Sequence, residues 1–195
     1  MRLLLLFLTL VEPVAGLTHD EVAAALRGEA PARTEAFTTA TGKSAGRGVG
    51  AIAIERPLAA VWATLSKYED RAEYIPRLEH VTVLDKQPSM VHARMEVDAS
   101  VTTARYTAFF KLDDKAHVIH WSMDHAALDN TIADVDGEYC LFEISPSRTL
   151  VVYRTYVDAG RSVPSFVQGY MTRRSLPNLL HAVKSRVESG GRYHK

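Results

Sequence analysis

Between Val91 and Ala99 the chain alternates without a break: Val91, Ala93, Met95, Val97 and Ala99 are apolar, and His92, Arg94, Glu96 and Asp98 are polar or charged. A two-residue period puts one side of an extended strand in a core and the other in water. It argues against a helix, whose apolar face recurs every three to four residues. The pattern has company. From residue 78 to 158, six β-rich runs follow one another, at 81–83, 91–99, 101–112, 118–123, 131–144 and 150–157. Asp113-Asp114-Lys115 and Ser145-Pro146-Ser147 supply turn chemistry between them. Consecutive strands joined by short turns form a mostly antiparallel sheet, because parallel neighbours need a long crossover.

Helical periods flank this region. Thr18 and Glu21 fit the N-cap and N3 positions of a capping box, opening a short helix through Val22, Ala23 and Leu26 that Gly28 can close. Pro57 suits the first position of a helix whose Leu58, Val61, Trp62 and Leu65 share one face. Asp70 and Glu73 are placed to cap a second short helix, which Pro76 stops near Ile75. After Gly160, a stripe through Phe166, Tyr170, Met171, Leu176, Leu179, Leu180, Val183 and Val187 predicts a helix over 165–188. Its length would be about 36 Å, with a kink at Pro177. One long amphipathic helix against a curved sheet is an α+β architecture. A single helix cannot fill a large concave face, so an apolar ligand cavity is expected between them.

A chain of 195 residues suits one such domain with a short appendage. Lys and Arg number 23, and Asp and Glu 23, which argues against a nucleic-acid partner, normally met by a basic excess. The one cysteine, Cys140, excludes an internal disulfide framework and reads as a buried strand residue. Met1-Arg2, a largely apolar run over 3–11 and the small residues Val14 and Gly16 form a secretory-signal pattern, with cleavage expected after Gly16. The run is too short to span a membrane. The expected organisation is therefore a signal peptide at 1–16, an N-terminal helix and strand or loop extension at 17–48, a ligand-binding domain at 49–190 and a flexible tail at 191–195. The expected location is outside the cytoplasm, in the periplasm.

The stretch from Ile54-Glu55-Arg56-Pro57 through Val61-Trp62 and Tyr68-Glu69-Asp70 to Tyr74-Ile75-Pro76 resembles the opening of the START-like (SRPBCC) superfamily. His120-Trp121, Gly137-Glu138-Tyr139 and the segment Arg148 to Tyr153 resemble strands of its coenzyme-Q-binding/polyketide-cyclase-like branch. Val163-Pro164-Ser165-Phe166 and Arg173-Arg174-Ser175-Leu176-Pro177 resemble that branch's closing helix. Arg56 departs from the small or acidic residue usual before this proline. The resemblance covers roughly residues 49–187. It implies a helix-grip fold, a curved antiparallel sheet wrapped round the C-terminal helix with a lipid-sized cavity between them. The superfamily holds lipid carriers, quinone binders, hormone receptors and aromatase/cyclases, so fold alone does not fix function.

Other motifs lose their chemical reading on inspection. Thr41-Gly42-Lys43-Ser44 ends like a phosphate loop, but Phe37 stands where that pattern needs glycine. Gly46, Gly48 and Gly50 lack dinucleotide spacing and read as a flexible loop at a strand edge. His117 and His120 point to opposite faces of a strand, so no metal site is expected. No catalytic residue and no cofactor is assigned. The expected cavity lining is Trp62, Tyr74, Ile75, Met95, Phe109, Trp121, Met123, Tyr139, Tyr153, Phe166, Tyr170 and Met171. Arg105, His120 and Arg154 are the candidate contacts to a polar head group, although alternation does not fix which face they occupy. The leading expectation is a monomeric exported carrier for a lipid, isoprenoid quinone or polyketide-like compound, with transient membrane contact. The alternatives are an aromatase/cyclase enzyme and an interaction module without a ligand.

Overall fold

The computed structural model describes residues 16–40, 42, 44–99, 102–160 and 174–195. Its elements in chain order are α1 (His19–Leu26), β1 (Ala32–Thr38), β2 (Ser44–Ile54), α2 (Leu58–Leu65), α3 (Arg71–Tyr74), β3 (Leu78–Gln87), β4 (Met90–Asp98), β5 (Thr103–Asp113), β6 (Val118–Met123), β7 (Asp134–Ser145), β8 (Arg148–Gly160) and α4 (Ser175–Glu188). The strands form one eight-stranded sheet in the order β1-β2-β8-β7-β6-β5-β4-β3. Every neighbouring pair is antiparallel. The alternating segment is β4, where Val91, Ala93, Met95 and Val97 are buried and the residues between them are not. The curved sheet and the C-terminal helix make the helix-grip arrangement that the resemblance implies.

The main core lies between the inner face of the sheet and the helices. Ile52, Ile54, Met95, Phe110, Ile119, Trp121, Tyr139, Val151 and Tyr153 meet Val61, Leu65, Leu179, Leu180 and Val183 there. A second, smaller cluster sits on the outer face, where Leu17 and Ala25 from the α1 region cover Ala51, Cys140, Leu150 and Val152. The capping box of α1 is present: Thr18 Oγ1 accepts from Glu21 N–H, and Glu21 Oε2 accepts from Thr18 N–H at 2.7 Å. Gly28 follows with φ +88°, a conformation that closes the turn without strain on a side chain.

Several local expectations are corrected. Gly46, Gly48 and Gly50 lie inside β2 rather than in a loop. At two of these positions a side chain would crowd the closing helix: a Cβ on Gly48 would lie 2.8 Å from Leu176 Cδ1, and one on Gly50 3.0 Å from Leu180 Cδ1. Asp70 makes no cap bond to α3. Its carboxylate instead binds Lys67 at 2.6 Å and Arg186 at 3.4 Å. Pro177 falls in the first turn of α4, where a missing N–H breaks no intrahelical bond. Residues 165–173 of the expected longer helix lie outside the described residues. The tail after Gly190 is tied down, because Tyr193 packs on the main core and Lys195 bonds to the α3–β3 turn.

Candidate ligand-binding site

The inner face of the sheet carries three rings in mutual contact. Trp121 lies 5.5 Å from Tyr139 and 5.4 Å from Tyr153 between ring centroids, and the two tyrosines are 4.9 Å apart. Strand register explains the cluster, since Tyr139 pairs with Tyr153 across β7 and β8, and Trp121 pairs with Gly137. Glycine is required at 137 because a Cβ there would meet the indole at 2.2 Å. The missing side chain lets the ring lie across β7.

These rings wall a cavity completed by Phe110, Tyr106, Met95 and Val97 of the sheet, Ile75, Pro76 and Leu78 of the α3–β3 turn, and Leu179 of α4. Ile132, Val135, Thr155 and Val157 also line it. Its free space is about 60 Å³, room for a few water molecules. The resemblance implies a lipid-sized cavity. Among the described residues this one is narrower, with aromatic rings packed along its wall. A larger guest would need part of that described wall to move.

Among the described residues the cavity wall carries one charge, Arg71, which the sequence reading did not single out. Its side chain is buried, and its terminal NH2 donates to Leu65 O at 2.6 Å. The guanidinium carbon lies 3.9 Å from the Tyr68 ring centroid, 5.6 Å from Phe110 and 5.8 Å from Tyr139. Among the described residues no carboxylate pairs with it, and its Nε–H is buried without a partner. Burial opposes the charge, but the phenol groups of Tyr68, Tyr74, Tyr139 and Tyr106 favour it, and the balance keeps this arginine above its ordinary value. The Tyr68 phenol is pushed up to about 12, chiefly by burial, and burial also raises Tyr74. A protonated guanidinium beside neutral phenols thus faces an apolar cavity. That arrangement accepts an oxygen bearing negative charge or a strong lone pair.

The structure sorts the sequence-derived residues. Ile75, Met95, Trp121, Tyr139 and Tyr153 line the cavity. Met123 and Tyr74 are buried in the surrounding core but are not part of the wall, and Tyr74 turns its ring towards Arg186. Trp62 is half-buried at the edge, perpendicular to His117. Phe109 is on the opposite face of β5, stacked on His92 at 4.3 Å, and its neighbour Phe110 takes the inward place. Phe166, Tyr170 and Met171 lie outside the described residues. The head-group candidates are corrected together: Arg105 is exposed, His120 pairs with Asp136 at 3.2 Å, and Arg154 pairs with Glu138, all on the outer face. The alternation of β5, β6 and β8 sends these polar side chains away from the core. The cation comes from a short helix instead. Its sequence signal was an arginine set between Tyr68 and Tyr74, one residue after an acidic side chain that binds elsewhere.

Comparison with solved structures places this architecture among known ones. The Zhui aromatase/cyclase from Streptomyces superposes with a TM-score of 0.62 at 20% identity, covering 83% of this chain and 97% of that one. A STAR-related lipid transfer protein from Xanthomonas axonopodis gives 0.63 at 13% identity, covering 79% and 98%. A START superfamily protein from Mycobacterium smegmatis gives 0.59 at 14% identity, covering 73% and 97%. No curated protein matches the sequence. Residues 54–184 match the family described as polyketide cyclase / dehydrase and lipid transport, and the chain belongs to that family.

Proposed function

We propose that this protein binds an apolar small molecule through a terminal or ring oxygen, with the oxygen at Arg71 and the apolar body against Trp121, Tyr139 and Tyr153. The observation that carries the reading is the buried, carboxylate-free guanidinium in an aromatic wall. Each buried CH₂ of a guest contributes about 0.8 kcal/mol. A charge-assisted hydrogen bond adds about 1.5–3 kcal/mol and selects an acid, enol or ketone over a hydrocarbon. The proposed role is that of an exported carrier, which shields its guest from water. The leader pattern at 1–16 supports export, and Leu17, the first residue after the expected cut, packs into the outer-face cluster.

The same cation favours a second reading, an aromatase/cyclase-type enzyme, because a fixed guanidinium in an apolar cavity stabilises an enolate. Native mass spectrometry of the mature protein purified from its own compartment, followed by solvent extraction, tests the carrier. An apolar oxygen-bearing molecule recovered unchanged supports it. Repeated recovery of empty protein, or conversion of the bound molecule on incubation, overturns it.

A further inference from the structure

The end of the chain returns to the cavity. Gly190 and Gly191, at φ +64° and +87°, reverse the backbone after α4. Ser189 Oγ then accepts from Arg192 N–H at 3.1 Å and Tyr193 N–H at 2.9 Å. Arg186, buried at the end of α4, donates to Tyr193 O at 2.9 Å and to Glu73 Oε2 at 2.6 Å. Lys195 completes the connection. Its backbone N–H donates to Glu73 O at 3.0 Å, and its ammonium donates to Ile75 O at 3.0 Å and to Leu78 O. Of these, the carbonyls of Glu73 and Ile75 lie at the end of α3, where a helix supplies no donor of its own, so a lysine is a fitting partner for them.

The segment so held is the α3–β3 turn, whose Ile75, Pro76 and Leu78 are cavity wall. This part of the wall stands largely outside the strand ladder. Arg77, at its centre, has φ +65°, a conformation unfavourable for a residue with a side chain. The turn's own bonds include Leu78 N–H to Ile75 O at 3.3 Å and Asp98 N–H to Arg77 O at 2.7 Å. The turn is thus a strained segment stapled from outside, next to a space too small for a guest.

We propose that residues 190–195 are a strap that holds the α3–β3 turn closed over the cavity, and that release of Lys195 from the carbonyls of Glu73, Ile75 and Leu78 opens the path for the guest. The last step rests on the ligand-binding reading above; the strapping of the turn does not. Two variants test it, a chain lacking residues 192–195 and the gentler Lys195→Met. Hydrogen exchange at the Leu78 and Asp98 amides reports the turn, with β7 and β8 as internal reference. Stopped-flow mixing with 1-anilinonaphthalene-8-sulfonate, an apolar anion, reports access. In the truncated chain, turn exchange rises roughly tenfold while β7 and β8 are unchanged, as expected for a local opening. Probe association and dissociation both quicken by a similar factor with little change in affinity, and Lys195→Met shows the same changes at smaller size. Unchanged turn exchange overturns the proposal, as does an equal rise throughout the sheet, or a turn that opens without changing the probe rates. A probe that binds neither form refutes the ligand-binding reading, and the strap then stands or falls on the exchange alone.

Discussion

Replacing Arg71 by methionine separates a binding residue from a structural one. The native side chain is 6% exposed and has no carboxylate partner among the described residues. Taking a cation out of water costs several kcal/mol, and an apolar chain of similar length avoids that cost. The substitution forfeits the bond to Leu65 O, about 1.5–3 kcal/mol for a charged donor. It also forfeits the contact with the Tyr68 ring, about 2 kcal/mol when desolvated. The gain and the losses are of similar size, so the net change should stay within about 1 kcal/mol, or roughly 2–4 °C in melting temperature for a chain of this length. Binding should fall much further. Loss of a charge-assisted bond to a carboxylate weakens affinity by roughly 10–100-fold. Thermal melts measure the first effect, and calorimetric titration with decanoate and with decanol measures the second. The wild type should prefer decanoate, and Arg71→Met should bind the two alike. A variant that melts more than about 8 °C lower and keeps the preference would refute the reasoning, leaving Arg71 as a tie between α3 and the end of α2.

Further outcomes follow from the same geometry. Gly137→Ala places a Cβ 2.2 Å from Trp121 Cζ2 and 2.5 Å from Arg154 O, so ring movement alone cannot relieve it. Urea unfolding should show a loss of more than about 2 kcal/mol, with shifted tryptophan emission, and a variant of normal stability and emission contradicts this packing. Tyr68 has a folded-state pKa of about 12 against 10.0 when free. Folding therefore loses nothing below pH 10 on its account, and up to about 3 kcal/mol as pH rises from 10 to 12. Melting curves over that window should fall steeply for the wild type and less so for Tyr68→Phe; equal slopes reject the assignment. Expressed in a bacterium with residues 1–16 in place, the protein should, on the export proposal, be recovered from the periplasm beginning at Leu17, and a cytosolic chain beginning at Met1 rejects export.

The sheet was legible where burial falls on one face only. In β4 the inner side meets the core and the outer side water, so the alternation of residue types reproduces the alternation of burial. β5 defeats the same reasoning. Thr107 and Phe109 point outward, yet Thr107 is buried and Phe109 half-buried, because the connection from β6 to β7 folds over that face. Asp124 N–H donates to Thr107 O and Asn130 Oδ1 accepts from Thr107 N–H, both at 2.8 Å, while His92 bonds Asp124 and stacks on Phe109. A strand covered on both sides has no polar face to read, so adjacent phenylalanines give no phase. The same blindness hid the cation. An arginine on a strand between apolar neighbours looks as if it reaches inward, but Arg105 and Arg154 obey the period and go out. Arg71 escapes the rule because a four-residue helix has no period long enough to register. What places it inside is its position after Tyr68 and before Tyr74, whose rings are themselves fully buried. Large aromatics on both sides of a charged residue drag its backbone into the core, and the charge must then be satisfied by what the core contains. Among the described residues that is the Leu65 carbonyl and a set of aromatic rings, with one N–H buried and without a partner, which is the chemistry a guest's oxygen would complete.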